Sequence, residues 1–250
     1  MSDGTDGMLD AIKGCLKEEM RMDTISNNLA NSAVIGFKKN KISFQEIFEN
    51  AKSERNRTGG RGTGPADSAL VYIKTDMGQG GTRFTENTLD FAISGNGFLK
   101  VNTPEGIRYT RKGNFSLDAE GTLVTQEGFR VMGAGGPIII SGNETYVDGQ
   151  GVIKVDGSDV GRIDVVDFEK PEDLIKEGKG LFRKNPNDQE VAPPPETKIQ
   201  QGYVELSNVN VAEEMVNMIH SLRAFESYQK AIQVLDGLNS RAVNEVGRLR

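Results

Sequence analysis

Residues 8–30 and 210–246 place apolar side chains at alternating four- and three-residue spacing, and the long stretch between them does not. In the first segment the spacing runs Met8, Ile12, Cys15, Glu19, Met22, Ser26 and Leu29. In the last it runs Val211, Met215, Met218, Leu222, Phe225, Gln229, Ile232, Asp236, Asn239, Val243 and Val246. Such spacing predicts helices that bury a narrow seam against other helices. At about 1.5 Å per residue the second helix would span ~55 Å, longer than the core of a small domain. Helices of this kind need neighbours, and one chain supplies two. The expected fold class is therefore α+β: long N- and C-terminal helices pairing as a coiled-coil-like domain, with a central antiparallel all-β domain. The expected assembly interface comprises Ile12, Cys15, Met22 and Leu29 together with Val211, Met215, Met218, Leu222, Phe225 and Ile232.

The expected organisation is a discontinuous helical assembly domain over 1–36 and 206–250, a linker or hinge loop over 37–68, and a β domain over 69–205. Asn27, Asn28 and Asn31 mark the end of the first helix, because asparagine side chains compete for backbone hydrogen bonds. The polar, glycine-rich run from Glu49 to Ala69 reads as a surface loop. Its arginines, Arg55, Arg57 and Arg61, suit a flexible loop better than an RNA-binding segment. Short strands follow at 69–74, 89–94, 97–103, 107–111, 114–118, 122–125, 129–133, 137–141, 145–148, 152–155 and 162–168. Pro104-Glu105-Gly106, Ala119-Glu120-Gly121, Asp148-Gly149 and Asp156-Gly157 supply turns between them. Residues 172–176 suggest one helical turn, 185–195 a loop and 198–205 a last strand. Asn210 followed by Glu213 before an apolar run is a capping pattern that starts the second helix.

Little in the chain points to catalysis. His220 is the one histidine and Cys15 the one cysteine, which excludes an internal disulfide and a multi-cysteine zinc site. His220 falls beside the seam of one helix and Cys15 on the seam of the other, where both read as structural. The carboxylates Asp148, Asp156, Asp159, Asp164 and Asp167 lack the spacing of a calcium loop. Gly78-Gln79-Gly80-Gly81 and Gly95-Asn96-Gly97 superficially suggest phosphate loops, but neither completes a fingerprint. A net charge of −6 leaves no electrostatic footprint for nucleic acid. No apolar run is long enough to enter a membrane, and residues 1–7 lack the pattern of a cleaved signal. No enzyme activity, cofactor, metal, nucleic acid or membrane insertion is expected. The competing reading is a secreted β-domain cell-wall hydrolase built on paired carboxylates. The absence of tryptophan, a usual sugar platform, weighs against it.

Ser26-Asn27-Asn28-Leu29-Ala30-Asn31 followed by Gly36-Phe37-Lys38 resembles the N-terminal signature of bacterial flagellar rod and hook axial proteins. Gln201-Gly202-Tyr203-Val204-Glu205-Leu206-Ser207-Asn208-Val209-Asn210 resembles their C-terminal signature. The stretches 89–93, 95–98 and 109–115 are similar to the family as well, while Val34 stands where threonine is common. The resemblance implies a structural, non-enzymatic subunit of the basal-body rod, polymerising through its terminal helices into the axial drive shaft. It implies other rod subunits and the flagellar type III export apparatus as partners, and a periplasm-spanning location reached without a cleaved signal peptide. Gly151–Gly161 with Lys179-Gly180-Leu181-Phe182 is most similar to proximal rod members. A distal rod or hook-type subunit is the alternative, because 201–219 is close to distal members.

Overall fold

A computed structural model describes residues 3–46, 69–142 and 144–247. The expected loop with Arg55, Arg57 and Arg61 falls at 47–68, outside the described residues, and so do the side chains of Asn239, Val243 and Val246. Two compact units emerge: Met1–Ser32 with Val209–Arg250, and Ala33–Asn208. The first contains α1 (Asp3–Ala30) and α2 (Val211–Gly247), packed on each other.

The second unit is built of β-strands. In chain order these are β1 (Asn40–Glu46), β2 (Ala69–Thr75), β3 (Thr82–Phe84), β4 (Phe91–Ser94), β5 (Phe98–Thr103) and β6 (Gly106–Thr110). Then come β7 (Phe115–Leu117), β8 (Leu123–Thr125), β9 (Arg130–Gly133), β10 (Gly136–Pro137), β11 (Thr145–Val147), β12 (Val152–Val155) and β13 (Ser158–Arg162). The series closes with β14 (Val165–Phe168), β15 (Ile175–Gly178), β16 (Leu181–Arg183), β17 (Glu190–Val191), β18 (Lys198–Gln201) and β19 (Tyr203–Glu205). All the described pairings are antiparallel.

The largest sheet runs β15-β16-β6-β5-β9-β8-β7, with β14 added to β5 and β10 to β9. Its central strand β5 buries both faces, as successive side chains in a strand point opposite ways. Leu99 and Val101 enter an aliphatic core with Leu123, Val131 and Ile153. Phe98, on the other face, enters an aromatic core with Tyr109, Phe168 and Phe182. Tyr109 and Phe168 meet edge to face at 4.9 Å, the arrangement their quadrupoles favour.

The expected coiled-coil-like terminal domain is corrected by the structure. Each end contributes one helix, two in all among the described residues against nineteen strands, so the described fold is mostly antiparallel β. The least exposed side chains of this unit are Ala11, Glu18, Ile25 and Asn28 on α1 and Glu214 and Ser221 on α2, with Met22, Leu29, Met218 and Phe225 half-buried among them, so polar residues share the buried stripe with apolar ones. Gly14 shows how closely the helices approach: a Cβ there would come within 2.5 Å of the Tyr228 ring. Two further differences concern the strands. The segment around Ile42 pairs as β1 with β2 in register from Asn40↔Thr75 to Glu46↔Ala69. The expected strand over 198–205 is broken by Gly202, whose φ of 78° lies in the left-handed region and separates β18 from β19.

Candidate assembly interface

On α1 the structure buries one residue of each predicted heptad pair and shifts the other by one position. Met8, Cys15, Met22 and Leu29 are half-buried, whereas Ile12 faces solvent beside buried Ala11. The same offset appears on α2. Met218, Phe225 and Ile232 are half-buried, while Val211, Met215 and Leu222 are exposed beside buried Glu214 and Ser221. Other large aliphatics lie outside this stripe. Leu9 and Leu16 are 50 % and 55 % exposed, and Met215 and Ile219 are 54 % and 50 % exposed. A helix pair with this much uncovered apolar surface on both members can bury it against further helices.

The N-terminal signature ends α1. Asn31 donates through Nδ2 to the Asn27 carbonyl at 2.8 Å, and the Ser32 hydroxyl donates to Leu29 O at 2.8 Å. These side-chain bonds add to the backbone N–H bonds that Asn31 and Ser32 donate to the same two carbonyls, and so fasten the last turn. Asn28 is buried, while Asn27 and Ala30 are exposed. At the start of α2 the Asn210 carboxamide oxygen accepts from Glu213 N at 3.4 Å, and its carbonyl accepts from Glu214 N at 2.9 Å. This is the N-cap expected from the Asn210/Glu213 spacing. Ser207 and Val209, just before it, are half-buried.

The remaining signature residues converge within the β unit. Gly36, at φ 67°, donates its N–H to Glu205 O at 2.7 Å. Its α-carbon faces the Arg111–Lys112 peptide so closely that a Cβ would fall 2.6 Å from that backbone. Phe37 is buried, and its carbonyl accepts from Asn208 N at 3.3 Å. The Asn208 carboxamide accepts from Lys39 N at 2.7 Å and donates to Asp76 O and Gly78 O at 2.9 and 3.0 Å.

Three charges close this arrangement, and the reading of the sequence alone assigned them no role. Lys38 and Glu205 are 1 % and 0 % exposed at their side chains and pair at 2.6 Å. Arg111 reaches the other Glu205 oxygen at 3.1 Å and donates to Gly95 O at 2.9 Å. Gly80 N donates to Glu205 at 2.9 Å. Burial pushes the Lys38 ammonium below the ordinary lysine range, with Glu205 pulling the other way. Arg111 is displaced downward for the same reasons. The glycine loop 78–81 thus presents a backbone N–H to an anion, and the anion is the chain's own carboxylate. The signal was available: all three charges lie inside the quoted signature stretches, and Glu205 ends a strand whose neighbour Val204 is fully buried.

The carboxylates considered for chemistry are committed to structure. Asp148 accepts from Gln150 N and Val152 N at 2.8 and 3.0 Å, and Asp156 accepts from Glu144 N at 3.0 Å, as turn residues do. Asp164 and Glu190 border an open groove but both pair with Lys100, at 2.8 and 2.6 Å. Burial pushes the Glu190 carboxyl up, yet hydrogen bonds from Lys100 and Tyr109 outweigh it and hold it below the usual range. A glycosidase acid requires the opposite shift. His220 is exposed on α2. Among the described residues no three His, Cys, Asp or Glu side chains are grouped to hold a metal, and no helix is long and apolar enough to cross a membrane.

Two family domains match the chain. The flagellar basal body rod FlgEFG protein C-terminal domain matches residues 200–245, and the flagellar hook protein FlgE/F/G D1 domain matches residues 92–158. The flagellar basal-body rod protein FlgG of Bacillus subtilis (strain 168) is 31 % identical over 93 % of this chain and 96 % of its own length. FlgG of Buchnera aphidicola subsp. Acyrthosiphon pisum is 35 % identical over 88 % and 91 %. FlgF of Caulobacter vibrioides is 34 % identical over 91 % and 92 %. Similarity at this level extends to relatives of both names and spans both units. The chain belongs to the flagellar basal-body rod protein family.

Proposed function

We propose that the chain is a structural subunit of the flagellar basal-body rod, added to an axial assembly of like and related subunits through its α1–α2 unit. The observation that carries this reading is the uncovered apolar face of both helices. Burying one leucine-sized side chain contributes about 1.5–3 kcal/mol, so a few residues on each helix offset the smaller values reckoned for the cost of association, about 4 kcal/mol upward. The reading carries with it a place in the basal body across the periplasm and export by the flagellar type III apparatus without a cleaved signal. The similarity of 151–161 and 179–182 to proximal members favours the proximal rod, with a distal rod or hook-type position as the alternative.

The test is a chromosomal Met215→Asp substitution. The side chain is exposed, so the purified variant is expected to keep its unfolding midpoint while cells lose motility and basal bodies lack the subunit. Normal motility with intact basal bodies would overturn the reading. Electron microscopy of basal bodies from a deletion strain decides the position: a proximal subunit leaves no distal rod, whereas a hook-type subunit leaves a finished one.

A further inference from the structure

The chain passes between its two units at 32/33 and at 208/209. Just inside the β unit, the segments 36–39 and 205–208 are fastened to each other although more than 160 residues separate them. Four bonds span the pair. Gly36 N donates to Glu205 O, and Asn208 N to Phe37 O. Lys38 Nζ donates to the Glu205 carboxylate, and Lys39 N to the Asn208 carboxamide. A third segment fills the remaining valences, as Gly80 N donates to Glu205 and the Asn208 amide donates to Asp76 O and Gly78 O. Two side chains thus hold three backbones, and Arg111 anchors the carboxylate from the neighbouring loop.

We propose that Glu205 and Asn208 are the positioning residues of a clasp that makes both ends of the β unit open and close as one element. The physical reason is that the bonds are shared. Freeing Glu205 leaves the buried Lys38 and Arg111 cations without their counter-charge, a state a low-dielectric interior strongly disfavours. Either end can leave only if the other leaves with it. A chain whose two crossings are joined in this way takes up load at both together instead of first at the weaker. This goes beyond the rod assignment and is read on the isolated chain, so it stands or falls without the rod.

Amide hydrogen exchange on the full-length monomer tests it, comparing the native chain with Glu205→Gln and Asn208→Ala. In the native chain, peptides covering 36–39 and 202–208 are expected to exchange at matching rates. Each substitution is expected to accelerate both segments together by at least tenfold, leaving β5 as slow as before. Acceleration confined to the substituted segment would overturn the clasp, and so would equal acceleration of β5, which marks loss of the whole unit. Asn208 is only half-buried, so the Asn208→Ala arm decides the matter if Glu205→Gln fails to fold.

Discussion

In the β unit Leu99, Val101, Leu123 and Val131 are sealed from solvent, whereas in the helical unit Leu9, Leu16, Met215 and Ile219 face it. The two units draw on similar side chains and use them differently. Strand β5 buries Phe98, Leu99 and Val101 on its two faces within the chain, although Ile107 on β6 and Ile73 on β2 stay exposed. Helices α1 and α2 pack closely at Gly14, where a Cβ would meet the Tyr228 ring, and leave large aliphatics uncovered. The comparison teaches that one unit seals a large aliphatic core, while the other has no such core and leaves apolar side chains in solvent. Polarity follows the same division. In the β unit the buried Lys38, Arg111 and Glu205 pair with one another, while the helices keep most charged residues at the surface, Glu18 and Glu214 excepted.

The largest effect that sharpens this contrast is expected from Leu99→Ala. Removing a fully buried leucine from β5 should cost about 2–5 kcal/mol, read as a lower urea midpoint for the β unit. If Leu16→Ala cost as much in the monomer, the two units would not differ in the way described. A comparably large effect is expected from Lys38→Met, which breaks a buried ion pair and should cost about 3–5 kcal/mol. A near-neutral result there would mean that the Lys38–Glu205 pair adds nothing beyond what Arg111 and Gly80 already give the carboxylate.

The smallest effect concerns pH. Lys176 lies 3.9 Å from the Phe37 ring centroid and donates to Lys38 O at 2.6 Å, and burial pushes its ammonium down from 10.5 to about 8. Between pH 8 and 10.5 the unfolded chain holds a proton that the folded chain has released. Stability therefore rises with pH across that window and is lowest, as far as this group is concerned, below pH 8. Solvent contact and the Phe37 ring both moderate the change. Urea midpoints at pH 7 and pH 9.5 should differ less in Lys176→Met than in the native chain. An unchanged difference would remove Lys176 from the account.

What could be read from the sequence was local. The Asn210 cap and the 103–106 hairpin each depend on residues within a few positions, and both stand in the structure where spacing put them. The pairing of β1 with β2 was not legible, because its partners lie some thirty residues apart. Strands β13, β15 and β16 were not among those expected: Asp156-Gly157 reads as a turn and 172–176 as one helical turn, and these strands are exposed or short. On the helices, four–three spacing counted from Met8 and Val211 selected Ile12, Met215 and Leu222, and the structure buries Ala11, Glu214 and Ser221 beside them. Apolar spacing shows that a helix has a face to bury. It does not show whether the one available partner takes that face or leaves it for another molecule. The charges at Lys38, Arg111 and Glu205 escaped notice because surface residues are the usual meaning of lysine, arginine and glutamate, and only the fold brings them together.

The central claim is that the outward apolar face of α1 and α2 is covered by neighbours in the assembled rod. It is tested most directly by maleimide labelling of Leu16→Cys and Ile219→Cys in a Cys15→Ala background. Both thiols should label rapidly in the purified monomer and at least tenfold more slowly in isolated basal bodies. Equal rates in monomer and basal body would show the face uncovered after assembly and would contradict the account.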